Sequence, residues 1–308
     1  MRKMINRALR LAGTTLPTKR PADRLYRYLV PRLGLTPGRT VVSLRDGRRF
    51  EVFADGPSDQ THSPDFHIYY YGVWEPRTSR VLRRIISAGD VCFDAGANVG
   101  WYTILLSHLA GRTGAVHGFE PDPRAFATLS RNLAINEQLT NVVANQVALG
   151  RDAGRIVLNG SANALYSSVY DAPSGEGTTF EVELITLDDY SRARGIDRVD
   201  FIKIDVEGSE LDVLMGGQAL LKNPAAPPII QMESNPRTAA RAGYRVDEMI
   251  DWLRRDFGYR VYRAARLGRI EPVESLDGLG WCNIFCLVPD LHAARLARVL
   301  SQAGRTVR

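Results

Sequence analysis

Three observations predict an α/β protein built on a doubly wound, mostly parallel sheet. From Asp90 onward, short apolar runs alternate with amphipathic segments, the pattern of strands joined by crossover helices. The links between them are short, as when successive elements stack on one sheet. A glycine-bearing turn, Asp94-Ala95-Gly96-Ala97-Asn98-Val99-Gly100, separates the first such strand from its helix, where open sheets of this kind bind ligands.

Met4, Ile5, Ala8, Leu9, Leu11 and Ala12 share one face of a short basic helix, expected to pack on the domain or fray rather than lie on a membrane. Residues 40–54 read as a β-hairpin around Asp46-Gly47, a favoured tight-turn pair. Residues 56–77, rich in Pro, Asp, His and Tyr, read as a structured entry loop or short helices, and 79–87 as a helix. The regular alternation then gives strand 91–93, helix 101–109, strand 115–119, helix 123–136 and strand 142–149. Strands 155–158 and 180–185 flank a polar, glycine-rich loop. Alternation resumes with strand 201–204, helix 209–221, strand 228–232, helix 246–255 and strands 259–262 and 283–288. Residues 1–78 are expected to be an N-terminal extension, 79–290 the main domain and 291–308 a C-terminal helix or tail.

Composition narrows the function. The chain is 44% hydrophobic and 24% charged over 308 residues, an ordinary globular profile. Its net charge is +6 and its basic residues are almost all arginine, with no clustered basic stripe in the sequence, so nucleic acid is not an expected partner. Three cysteines, with no CxxC pair or histidine cluster, make neither a disulfide framework nor a metal site and fit a reducing, cytoplasmic location. No apolar run approaches the length of a membrane span. Oligomeric state is not legible.

The turn carries the first chemical signal. Glycine permits positive φ and close backbone approach, and the helix behind it offers N–H groups to an anionic group. Its DxGxxxG spacing departs from the GxGxxG of nicotinamide binders. An acid before the first glycine would repel a pyrophosphate but would accept a hydrogen bond from the ammonium of a methionine moiety. Glu120 ends the next strand, 24 residues after Gly96, and is placed to hold two ribose hydroxyls. Asn145, Gln146, Val147 and Ala148, toward the end of strand 142–149, are the adenine-side candidates.

In this order and spacing, five segments resemble the FkbM family of methyltransferases: DAGANVGWY at 94–102, GFEPDP at 118–123, NLAIN at 132–136, TLDDY at 186–190 and IKIDVEGSE at 202–210. The likeness runs over about residues 72–289, and YGVWEP at 71–76 is similar to the family's entry motif. The resemblance implies a Class I, Rossmann-like methyltransferase fold, a seven-stranded sheet whose final strand is antiparallel. It implies S-adenosylmethionine as donor and a hydroxyl acceptor on a sugar, glycolipid or polyketide. It implies cofactor contacts from Asp94, Gly96, Asn98, Gly100, Tyr102, Glu120, Pro121, Ala148 and Asp205, and acceptor-pocket roles for Tyr71 and Glu75.

A hydroxyl acceptor must lose its proton as it attacks the methyl, and a positioned carboxylate or histidine serves as base. Asp205 and Glu207 follow the fourth strand at its carboxyl end, and Glu233 ends the next strand; these are the candidate catalytic acids. Lys203 alternates with Asp205 and so shares its face, a candidate for holding substrate. Glu207 and Ser209 could instead cap the following helix. His62 and His67 flank the entry loop; the remaining histidines fit no metal spacing. Rival readings are methylation of an amine, a nicotinamide-dependent oxidoreductase, and a binding-only relative that has lost activity.

Overall fold

The computed structural model describes residues 38–53, 63–160, 167–168, 179–275 and 280–300. Helix 4–12, His62 and most of the loop 161–179 lie outside them. The described residues of Met1–Pro76 with Arg131–Glu137 form one unit, and Arg77–Ser130 with the described residues of Gln138–Arg308 form another.

In the first unit, β1 (Arg39–Ser43) and β2 (Arg49–Phe53) make the antiparallel hairpin. Gly47 supplies the left-handed φ of 85° that the turn requires. Phe50 and Val52, two residues apart, are buried. The other edge of β2 is closed by two asparagines. Asn132 Oδ1 accepts the Glu51 N–H at 2.7 Å, and Asn136 Oδ1 accepts the Arg49 N–H at 2.8 Å. Asn136 Nδ2 returns a bond to the Arg49 carbonyl at 2.7 Å. The match is metric: Asn132 in the last turn of helix Pro123–Ala134 and Asn136 just past its end are four residues apart, about 6 Å at a helical rise, and two residues of strand rise about 6.6 Å. The two amides therefore meet alternate residues of the strand as a neighbouring strand would. Helix α1 (Pro64–Tyr71) begins at Ser63, whose Oγ accepts the Phe66 N–H, and ends at Gly72 in the left-handed region.

The second unit opens with α2 (Pro76–Ile85, from Arg77 on), β3 (Val91–Ala95), α3 (Trp101–Ala110), β4 (Ala115–Phe119), α4 (Pro123–Ala134, whose last turn from Arg131 belongs to the first unit) and β5 (Val142–Asn145). Next come β6 (Ala148–Leu149), β7 (Gly154–Gly160), β8 (Ser167–Ser168), β9 (Thr179–Ile185), α5 (Leu187–Arg194) and β10 (Phe201–Ile204). Then follow α6 (Glu210–Met215), α7 (Gln218–Leu221), β11 (Ile229–Ser234), α8 (Pro236–Arg241) and α9 (Val246–Phe257). The unit closes with β12 (Arg260–Ala264), β13 (Ile270–Pro272), β14 (Cys282–Leu287) and α10 (Ala293–Val299). The main sheet has the order β13-β12-β14-β11-β10-β3-β4-β5. Strands β11, β10, β3, β4 and β5 run parallel, and β14 is antiparallel to both neighbours. This is a doubly wound arrangement, and the strands of its centre are mostly apolar, as in sheets covered on both faces, with Asp94, His117, Lys203, Gln231 and Glu233 among the polar exceptions.

Three expectations need correction. The sheet has eight strands, since β13 adds an antiparallel edge to β12. The strand expected over 142–149 breaks after Asn145, whose side chain donates to the Gly118 carbonyl at 3.1 Å and accepts from Tyr190 Oη at 3.2 Å. The chain then joins a second sheet, order β6-β9-β7-β8. The helix expected over 209–221 splits at Gly216-Gly217. A Cβ on Gly216 would lie 2.0 Å from the Gly150 carbonyl oxygen, so that contact admits only glycine. Helix α5 was not expected, although Thr186 marks its start by accepting the Asp189 N–H at 3.0 Å.

Candidate active site

Near the carboxyl end of β10, against β3, stands Lys203, which is 2% exposed. Its Nζ donates to the Gly96 carbonyl at 2.9 Å. It stands 3.4 Å from Asp94 Oδ1 and 3.3 Å from Asp205 Oδ2, and over the Tyr102 ring at 5.2 Å. Strand pairing explains the meeting, because Lys203 and Asp94 are directly opposed across β10 and β3. One ammonium thus ties the glycine turn at 94–100 to the loop after β10.

That tie changes the role expected of Asp94. The carboxylate is fully buried, accepts from Thr103 Oγ1 at 2.6 Å and faces Lys203. Burial pushes its pKa up, and the Lys203 charge opposes the rise. Asp94 does bind an ammonium, but the chain supplies it. Lys203 is likewise buried under the turn rather than open to an acceptor. The glycines are also explained by packing within the protein. A Cβ on Gly96 would sit 1.8 Å from the Asp205 carbonyl oxygen, and one on Gly100 would sit 2.6 Å from Leu129 Cδ1. Both have positive φ, 76° and 91°.

Asn98 and Glu207 hold φ of 49° and 54°, a conformation that costs non-glycine residues energy and gathers at functional sites. The Asn98 N–H donates to Glu120 Oε2 at 2.7 Å, and the Asp122 N–H to Glu120 Oε1 at 2.9 Å. Glu120 is 7% exposed, and burial pushes its carboxyl up to about 7. A carboxylate offers about four acceptor positions, and these two N–H groups fill two. The remainder suits two hydroxyl donors, so the residue fits a vicinal diol such as that of a ribose. Pro121 is half-buried between Glu120 and Asp122; Asp122 caps α4 by accepting the Arg124 N–H at 2.8 Å.

The acids after β10 separate by environment. The Asp205 side chain is 30% exposed beside Lys203, and Glu207 is half-buried. The loop cap falls to neither Glu207 nor Ser209, which caps nothing with its side chain. Glu210, buried, takes that role: its Oε1 accepts the Val206 and Gly208 N–H groups at 3.3 and 3.2 Å, and Oε2 accepts from Tyr244 Oη at 2.9 Å. At the end of β11, Glu233 accepts from Trp281 Nε1 and, at 3.5 Å, from Asn235 Nδ2. Burial first, and the Asp205 charge second, push Glu233 up to about 7.

Asp94, Gly96, Tyr102, Lys203 and Asp205 are thus brought together, with Glu120 joined to the same turn through Asn98. Glu233 joins them through the charge of Asp205. Ala148 instead lies in β6, paired with β9. Tyr71 and Glu75 belong to the first unit. Tyr71 packs on Phe66 and His67 there, and Glu75 has φ of 41°. Two residues of the site had no assigned role in the sequence. Glu210 stood in a matched segment, where the capping pattern could have marked it; Trp281 had no signal, because only the antiparallel return of β14 brings it to the end of β11. Among the described residues, no cluster of His, Cys, Asp and Glu could hold a metal ion.

A doubly wound sheet with an acid-first glycine turn, a buried glutamate ending the next strand and acids along the same edge defines a Class I methyltransferase fold and site. Residues 94–261, more than half the chain, match the family model for the methyltransferase FkbM domain. The chain belongs to the FkbM family of methyltransferases, and S-adenosylmethionine is the methyl donor of this class. It is 33% identical over 201 residues to methyltransferase sdnD of Sordaria araneosa, covering 51% of this chain and 76% of that one. It is 31% identical over 157 residues to the 31-O-demethyl-FK506 methyltransferase FkbM of Streptomyces tacrolimicus, covering 42% and 59%. With the 2-O-methyltransferase NoeI of Sinorhizobium fredii the figures are 29% over 170 residues, 49% and 68%.

Proposed function

We propose that the chain is an S-adenosylmethionine-dependent O-methyltransferase whose acceptor is a hydroxyl on a sugar, glycolipid or other secondary metabolite. The observation that carries the reading is Glu233, a carboxyl pushed up to about 7 at the sheet edge that bears the donor turn. A base whose pKa lies near the working pH is what a hydroxyl acceptor requires. Two of the relatives, by name, methylate oxygen, which supports the same reading.

The donor brings an activated sulfonium methyl. Glu120 would hold the ribose hydroxyls, and the turn from Gly96 to Gly100 would shape the seat beside them. Glu233 takes the acceptor's proton as the oxygen attacks in line, while Asp205 and Glu207 bind and orient the acceptor. Orientation of this kind lowers a barrier by roughly 7–11 kcal/mol, and a positioned base adds about 10²–10⁴-fold in rate. A cytoplasmic location belongs to the same reading and rests on three unpaired thiols, Cys92, Cys282 and Cys286.

The test is methyl transfer from labelled S-adenosylmethionine to cell-extract glycans and lipids. Glu233→Gln should cut transfer about 10²–10⁴-fold and leave the thermal shift with S-adenosylhomocysteine unchanged. Wild-type turnover by that variant would remove Glu233 from the mechanism. Label appearing on amines alone would replace oxygen by nitrogen as the acceptor.

A further inference from the structure

The turn between β12 and β13 exposes a leucine in a conformation leucine avoids. Leu267 is 74% exposed with φ of 57° and ψ of 28°. Gly268 follows at φ 70°, and a Cβ there would lie 2.8 Å from the Arg80 carbonyl oxygen. The turn is therefore held against α2, and its summit is an apolar side chain where a polar one would be expected.

Arginines from three separate stretches lie on or against the turn. Arg80 and Arg84 come from α2, Arg266 and Arg269 from the turn, and Arg298 from α10. Contacts between them are direct: Arg84 Nη1 and Arg269 Nη1 each donate to the Arg298 carbonyl at 3.4 Å, and Arg269 Nη1 also to the Leu300 carbonyl at 3.0 Å. Arg298 Nη1 donates to Ser87 Oγ at 2.9 Å. Among the described residues none of these five forms an ion pair with a carboxylate, whereas nearby Arg263 pairs with Glu271 and Arg295 with Asp90. The turn leaves the carboxyl end of β12, which runs parallel to β11, so it lies along the sheet edge that carries Glu233.

We propose that this patch docks the protein on an anionic membrane surface, with Leu267 entering the interface and the arginines meeting lipid phosphates. Guanidinium groups bind phosphate oxygens in pairs, and basic residues at an anionic leaflet act within a Debye length. The exposed leucine selects a membrane over a nucleic acid, since an apolar side chain at the summit of a basic patch contributes nothing to phosphate contacts and much to interfacial insertion.

Co-sedimentation of the full chain with vesicles tests this at about 0.1 M salt, where the Debye length is about 10 Å. Vesicles of phosphatidylcholine containing phosphatidylglycerol should bind at least about tenfold more tightly than phosphatidylcholine alone. The double variant Arg84→Glu/Arg266→Glu should lose that difference. Leu267→Asn should weaken binding about tenfold while folding as well as the wild type, because asparagine tolerates left-handed φ; thermal unfolding checks this. Wild-type affinity in either variant, binding indifferent to lipid charge, or a single-stranded RNA oligomer outcompeting the vesicles would each overturn the proposal.

Discussion

With Glu120 holding the ribose hydroxyls as proposed, donor binding becomes sensitive to pH in a direction that can be worked out. In the free protein its carboxyl is pushed up to about 7 by burial, against the help of two backbone N–H groups. Ribose hydroxyls donate to the ionised form, so binding lowers the pKa and releases a proton. At pH 6 about a tenth of a group with pKa about 7 is ionised, and at pH 8 about nine-tenths. Affinity for S-adenosylhomocysteine should therefore rise about tenfold between those values. Isothermal titration in several buffers measures both the rise and the proton released. Glu233 titrates in the same range, so the control is Glu233→Gln, which should keep the slope. Glu120→Gln should flatten it and weaken binding roughly 10–100-fold, the loss of one charge-assisted hydrogen bond of about 1.5–3 kcal/mol. A flat wild-type profile, or a slope that survives Glu120→Gln, would refute the assignment of Glu120 to the ribose.

Other consequences are open to measurement. Gly96→Ala places a Cβ 1.8 Å from a backbone oxygen and should abolish donor binding and cost more than about 3 kcal/mol in urea unfolding. Gly47→Ala, with open space around its Cβ and only the φ of 85° to resist, should cost about 1 kcal/mol. Trp281→Phe removes the N–H that holds the Glu233 carboxyl down, so the pH–rate profile should move to higher pH with its plateau retained. Asn132→Ala strips the half-buried Glu51 N–H of its partner, which should cost about 1 kcal/mol and speed hydrogen exchange at that amide.

The parallel core was legible because it is local. Strand 201–204 and the turn at 94–100 are set by apolar runs and glycines next to one another in sequence. The acids along the edge were legible for the same reason, since strand ends carry them. What escaped depends on distant partners. The ammonium facing Asp94 comes from β10, opposite it in the sheet. The break after Asn145 depends on Tyr190, and the division of labour between Glu207 and Glu210 depends on Tyr244. The basic patch was invisible as a stripe because its arginines lie in three stretches separated by the whole of the sheet.

Lys203 and Gly96 have a consequence for anyone redesigning the acceptor. The loop that carries Asp205 and Glu207 is interlocked with the donor turn, through an ammonium and through a carbonyl pressed where a side chain would be. A loop grafted there from a relative would arrive without its mate and unseat the donor. The positions free to diversify lie beside Glu233 rather than at it, Trp281 and Asn235, which touch its carboxyl. A library confined to those two positions, with Glu233 kept, could exchange acceptors while leaving the methyl donor in place.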